Sequence, residues 1–157
     1  MEPHPKELTM YQRILVPVDG SEAATKALVA ALQLGREAGG RVRILHVLDE
    51  LAYLTGFEAG GDLLAVAREY GAKTLQDAMA VAGAAGVPAD TRLVESSGAR
   101  LGETVASEAR AWEADLVVVG THGRRGLGRV LLGSGAEQVI RQAPVPVLAV
   151  RDPEAAA

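Results

Sequence analysis

The sequence predicts a single doubly wound α/β domain, and three observations carry that prediction. Five short runs rich in Val, Ile and Leu alternate with four longer stretches whose apolar residues recur every three or four positions. The short runs are apolar at consecutive positions, as strands of a parallel sheet covered on both faces are. Small residues follow the first and fourth runs, where such sheets hold ligands beyond the carboxyl ends of their strands.

Residues 1–10, MEPHPKELTM, form a loose extension, because Pro3 and Pro5 bar regular pairing and no apolar period begins before Tyr11. Met10 offers an alternative start. The domain proper covers residues 11–151. Its first strand is Ile14, Leu15, Val16 and Val18, followed by Asp19, Gly20 and Ser21, where either Asp19 or Ser21 can cap a helix. That helix runs to about Ala38 on Ala24, Ala27, Leu28, Ala31 and Leu34, and Gly39 with Gly40 stops it. Val42, Ile44, Leu45 and Val47 make the second strand. Residues 49–61 hold three glycines and no clear period, so they read as a long connection.

A second helix spans roughly Asp62 to Ala85 on the stripe Leu64, Ala67, Gly71, Leu75, Ala78 and Ala82, ending at Gly86 and Pro88. Thr91, Leu93 and Val94 make a weaker third strand. Leu101, Val105, Ala109 and Trp112 mark a third helix, and Leu116 to Val119 form the most evident strand of all. A fourth helix covers about Ser134 to Arg141, and Val147 to Val150 is the last strand. The tail, residues 152–157, is frayed.

Composition excludes several classes of function. The chain has 157 residues, 48% of them hydrophobic and 23% charged, enough for one domain with a sizeable core. A net charge of −4 argues against a nucleic-acid partner, which calls for a basic face. There is no cysteine, hence no disulfide and no thiolate metal site. No apolar run approaches the roughly 20 residues of a membrane helix, and the first residues hold no hydrophobic signal region. The expectation is a soluble protein that is not exported and binds no membrane.

Against that acidic background, Gly120 to Ser134 reads GTHGRRGLGRVLLGS and contains Arg124, Arg125 and Arg129 without one acid. Backbone amides approach a phosphate oxygen only where side chains are small, and a helix N-terminus adds about half a positive charge aimed at the anion. Gly120 and Gly123 alone would equally make a tight turn. With Gly133, Ser134 and the arginines they read as a phosphate cradle. The spacing is neither that of a P-loop, since no lysine precedes Ser134, nor that of the dinucleotide fingerprint.

Gly120, Gly123, Gly133 and Ser134 fit the pattern G-2x-G-9x-G-(S/T), and here the sequence resembles the nucleotide-binding members of the universal stress protein family. The likeness extends to ILVPVDGSE (Ile14 to Glu22), ILHVLDE (Ile44 to Glu50), ADLVVVGTHGR (Ala114 to Arg124) and PVPVLAVR (Pro144 to Arg151). It implies strand order 3-2-1-4-5 and a cytoplasmic, usually dimeric protein that binds ATP or another adenine nucleotide. It further implies that Asp19 and the Val47 backbone hold the adenine and ribose end, with Pro17 and Val18 lining that wall. Gly120, Thr121, His122, Gly123, Arg124, Gly133, Ser134 and Gly135 would then hold the phosphates. Mg²⁺, which needs few protein ligands, would be held through the phosphates. Gly135 departs from the larger residue of many relatives, and Ala136 lacks a hydroxyl that relatives often carry.

A last strand at a sheet edge exposes unpaired backbone unless something covers it, and a second copy of the same strand is the expected cover. The sequence names no downstream protein partner. The three histidines lack the helical spacing of metal ligands, and His46, inside an apolar strand, reads as packed and hydrogen-bonded. Leu127, Val130, Leu131 and Leu132 read as packing the glycine loop onto the sheet. Neither His122 nor Glu137 completes an acid, base and nucleophile set, so no catalytic residue is assigned. The leading expectation is a non-enzymatic, nucleotide-responsive dimeric regulator, with slow hydrolysis at most. Two alternatives stand beside it: a slow nucleotide-dependent phosphohydrolase or transferase using Asp19, His122 or Glu137, and a nucleotide-free dimeric interaction module.

Overall fold

A computed structural model describes residues 10–51, 63–121 and 132–151. The described elements run β1 (Arg13–Pro17), α1 (Glu22–Ala38), β2 (Arg41–Asp49), α2 (Leu63–Ala85), β3 (Ala89–Ser96), α3 (Leu101–Trp112), β4 (Leu116–Gly120), α4 (Ser134–Gln142) and β5 (Val147–Val150). All strand pairs are parallel and the order across the sheet is β3-β2-β1-β4-β5, as the family resemblance implied. The extension 1–9, the connection 52–62 and the tail 152–157 lie outside the described residues.

Consecutive apolar residues in the strands serve two helical layers, because neighbouring side chains on a strand point to opposite faces. Ile14, Val16, Val42, Ile44, Leu116 and Val118 pack under α1 and α2. Leu15, Leu45, Val117 and Val119 pack under α3 and α4 with Val105, Ala109 and Trp112. The winding reverses between β1 and β4, so the helices that follow these two neighbours, α1 and α4, pack on opposite faces of the sheet.

Local chemistry sets the helix ends. Ser21 caps α1, its Oγ accepting the Ala24 N–H at 3.1 Å, which resolves the choice between Asp19 and Ser21. Gly39, at φ 66°, ends α1 in the left-handed conformation that glycine adopts without strain. Sequence reading found the elements better than their lengths: β2 and β3 extend to nine and eight residues. The expectation that Leu132 packs the loop onto the sheet is corrected, since Leu132 is 40% exposed. It lies just before α4 and is not among the residues packed on either core layer. Leu127, Val130 and Leu131 fall outside the described residues.

Candidate functional site

A cleft of about 590 Å³ opens at the carboxyl ends of β1, β2 and β4. Pro17, Val18, Asp19, Val47, Gly120, Thr121, Gly133, Ser134 and Gly135, singled out from the sequence, all line it. His122, Gly123 and Arg124, with Arg125 and Arg129, lie outside the described residues. Segments more than 100 residues apart in the chain thus meet in one cavity.

The β1 side of the cleft is built by the loop after Pro17. Asp19 is half-buried, and its Oδ1 accepts the Ser21 N–H at 2.9 Å, which steers the carboxylate while leaving Ser21 to cap α1. The Val18 N–H donates to the Leu45 carbonyl at 2.7 Å, the last rung between β1 and β2. Val47 stands two residues further along β2, so its own N–H and C=O point the same way as the Leu45 carbonyl. Beyond the end of β1 no described strand meets them. A free peptide edge of this kind presents a donor and an acceptor to a planar heterocycle.

The opposite side is built by β4 and α4. Gly120 lines the cleft, but its lack of a side chain answers first to packing, because a Cβ there would stand 2.7 Å from the Ala23 carbonyl oxygen of α1. The Thr121 N–H donates to the Val150 carbonyl at 3.1 Å, and its own carbonyl accepts the Gly133 N–H at 2.7 Å. Gly133 therefore closes the loop with its amide rather than offering it to a ligand. The Thr121 Oγ1 is buried and has no hydrogen-bond partner, alone in this respect among the described residues.

Gly133 caps α4 in extended conformation without a side-chain hydrogen bond, and its carbonyl accepts the Glu137 N–H at 2.9 Å. The first-turn amides of Ser134, Gly135 and Ala136 come before the first intrahelical bond and are left for an acceptor in the cleft. The absent side chain at Gly135 has a counterpart: a Cβ there would stand 2.9 Å from Leu101 Cδ2, so Leu101 of α3 occupies the space a larger residue would need. Gln138 Oε1 also accepts the Gly102 N–H at 3.2 Å, which ties α3 to α4.

Sequence reasoning missed Asp49 and Arg100, which line the same cleft from the ends of β2 and the β3–α3 loop. The rule that found Asp19 and Gly120, position beyond a strand's carboxyl end, would have found them too. His46 is buried as expected, with Nδ1 2.8 Å from the Val18 carbonyl; a carbonyl only accepts, so Nδ1 carries the proton. Among the described residues no three His, Cys, Asp or Glu side chains gather closely enough to hold a metal ion, and no helix is long and apolar enough to cross a membrane.

The resolved shifts in proton affinity lie outside the cleft. The hydrogen bond from Arg43 holds the Asp90 carboxyl below its ordinary value near 3.8 and raises the Arg43 guanidinium in return. The Arg68 hydrogen bond lowers Glu95 in the same way.

The model of the universal stress protein family matches residues 10–151. The universal stress protein MJ0531 of Methanocaldococcus jannaschii is 33% identical over 148 residues, which are 92% of this chain and 85% of that protein. Among solved structures, a universal stress protein family member from Burkholderia pseudomallei is 35% identical with a TM-score of 0.71, covering 93% of this chain and 98% of that one. A universal stress protein solved in complex with cAMP is 26% identical with a TM-score of 0.65, covering 90% and 98%.

Proposed function

The chain belongs to the universal stress protein family, and from that premise we propose that it binds an adenine nucleotide, ATP foremost, in the cleft between β1 and β4 and acts as a nucleotide-responsive dimer. The observation that carries this reading is the buried, unpartnered Thr121 hydroxyl beside the open first turn of α4. A buried hydroxyl without a partner costs roughly 1–3 kcal/mol, a cost that a phosphate oxygen in the cleft would remove. The cAMP complex of a relative supports an adenine nucleotide as the ligand class.

In this reading the Val47 peptide edge meets the adenine and the Asp19 carboxylate accepts hydrogen bonds from ribose hydroxyls. Pro17 and Val18 form the apolar wall. Thr121 and the amides of Ser134, Gly135 and Ala136 meet the phosphates, where the α4 dipole favours negative charge. His122, Gly123 and Arg124 complete the phosphate wall by motif spacing. Mg²⁺ would sit on the phosphates with its remaining ligands water, and would neutralise their charge.

The charged groups that line the cleft among the described residues are Asp19, Asp49 and Arg100. They offer no paired base and nucleophile, which favours a protein that holds its ligand and signals occupancy over one that transforms it. The dimer would form through β5, which among the described strands pairs only with β4 and exposes Leu148, as α4 exposes Ile140, at 40% and 43%. The cytoplasm is the compartment proposed for it.

Titration calorimetry with ATP and Mg²⁺ tests the reading, with light scattering on the same sample. One nucleotide per chain and a dimeric mass are expected. A folded protein that gives no binding heat with ATP, AMP or cAMP would overturn the nucleotide site, and a monomer at micromolar concentration would overturn the dimer.

A further inference from the structure

Two side chains grip the cleft from behind. Tyr70 of α2 donates its phenolic O–H to the Asp19 carbonyl at 2.8 Å, and His46 of β2 donates Nδ1–H to the Val18 carbonyl at 2.8 Å. Val18 and Asp19 are consecutive residues of the loop whose other side lines the cleft, while neither Tyr70 nor His46 lines it. The two rings stand edge to face, centroids 6.1 Å apart.

The backbone on both sides is fitted to these contacts. Gly20 has φ 83°, and a Cβ there would stand 2.2 Å from the Tyr70 hydroxyl oxygen. Any other residue would be strained in that conformation and would push the tyrosine away. Gly71, next to Tyr70 on α2, leaves room for His46, since its Cβ would stand 2.8 Å from His46 Cδ2. Two glycines, one tyrosine and one histidine thus bring β2 and α2 onto two successive carbonyls of one loop.

We propose that Tyr70, seconded by His46, is a positioning residue for the nucleotide cleft: it holds the β1–α1 loop in the shape that aims the Asp19 carboxylate, and so couples α2 to ligand occupancy. The inference rests on the nucleotide reading of the cleft. A loop held in its binding shape before the ligand arrives avoids the loss of apparent affinity that a part-populated binding state imposes. Linkage makes the coupling reciprocal, so nucleotide binding must tighten the Tyr70 contact by the same factor.

Tyr70→Phe keeps the ring and removes the donor. Affinities for adenosine, AMP and ATP, measured by calorimetry, are expected to fall by one common factor of about fivefold, the scale of one net hydrogen bond, because all three share the sugar that Asp19 faces. In an Asp19→Ala background the same substitution is expected to change affinity no further, since its effect passes through Asp19. A role confined to packing would lower affinity equally in both backgrounds, and that result, or unchanged affinity in the single variant, would overturn the proposal.

If Tyr70→Phe does not fold, amide hydrogen exchange on the wild type decides: slower exchange around Tyr70 of α2 with nucleotide supports the coupling, and unchanged exchange there refutes it. Wild-type protein that binds no adenine nucleotide removes the site itself, and this inference with it, an outcome distinct from a wild type that binds and a variant that binds equally well.

Discussion

At the amino end of the sheet, Asp115 accepts the N–H groups of Gln12 and Arg13 at 2.7 and 3.0 Å, and Arg13 Nε donates to the Trp112 carbonyl at 2.8 Å. The guanidinium carbons of Arg13 and Arg43 lie 4.5 and 4.8 Å from the centroid of the Trp112 ring, and Arg43 is bidentate on Asp90. At the carboxyl end of the same strands, the Thr121 hydroxyl has no partner, Val47 lines the cleft past the last β1 pairing and the first turn of α4 has no side-chain cap. Both ends are rich in polar groups, but the buried side-chain polar atom without a partner among the described residues lies at the carboxyl end. A folded chain keeps few buried polar groups unpaired, so the end that keeps one stands apart from the end that keeps none among the described residues.

The largest expected effect breaks the amino end. Trp112→Ala should cost about 3–5 kcal/mol in urea unfolding, because it empties a buried aromatic site and removes the ring on which two guanidinium groups stack. Nucleotide affinity of the molecules that remain folded should hold. If affinity falls in step with stability, the two ends are not separate.

Thr121→Val inverts that pattern. Replacing an unpartnered buried hydroxyl with a methyl of similar shape should leave stability unchanged or raise it by up to about 1 kcal/mol. Phosphate-bearing ligands should bind about fivefold more weakly, with adenosine unaffected, as calorimetry across the series would report. Lost stability would mean that the hydroxyl is satisfied within the fold.

The smallest effect belongs to Asp90→Asn. The folded-state value of Asp90 is depressed by the Arg43 hydrogen bond, so the pair's contribution is present above the ordinary carboxylate value near 3.8 and is lost as pH falls through the lower folded value. Because Asp90 is half-exposed, solvent screening keeps the contribution below about 1 kcal/mol. Unfolding midpoints of the two proteins should differ slightly at pH 7 and converge in acid; a gap that widens in acid would reverse the assignment.

Much of this was readable in the chain. The period of Ala24, Ala27, Leu28 and Ala31 and the unbroken run Leu116 to Val119 are local signals, and α1 and β4 formed where those signals lay. The carboxyl-end rule, with the strand order that the family resemblance implied, set Asp19 and Gly120 at one crevice, and both line the cleft. Other features depend on partners distant in sequence. Gly120 lines the cleft as its motif position implied, but that its glycine is also demanded by the Ala23 carbonyl, 2.7 Å from where a Cβ would stand, is invisible in the sequence. The Gly133 amide reads as a ligand donor until it is found on the Thr121 carbonyl.

By itself, then, the sequence determined which segments are strands and helices, that both faces of the sheet are covered, and where a phosphate cradle would lie. Periodicity, caps and small residues act within a few positions, and their physics is legible one window at a time. Only the tertiary structure decided which polar groups remain unpaired, because pairing depends on contacts such as Tyr70 with Asp19, 51 residues apart, and Gly102 with Gln138, 36 apart. Whether a hydrogen bond is left open is a property of the folded surroundings and not of the residue, as the Thr121 hydroxyl shows.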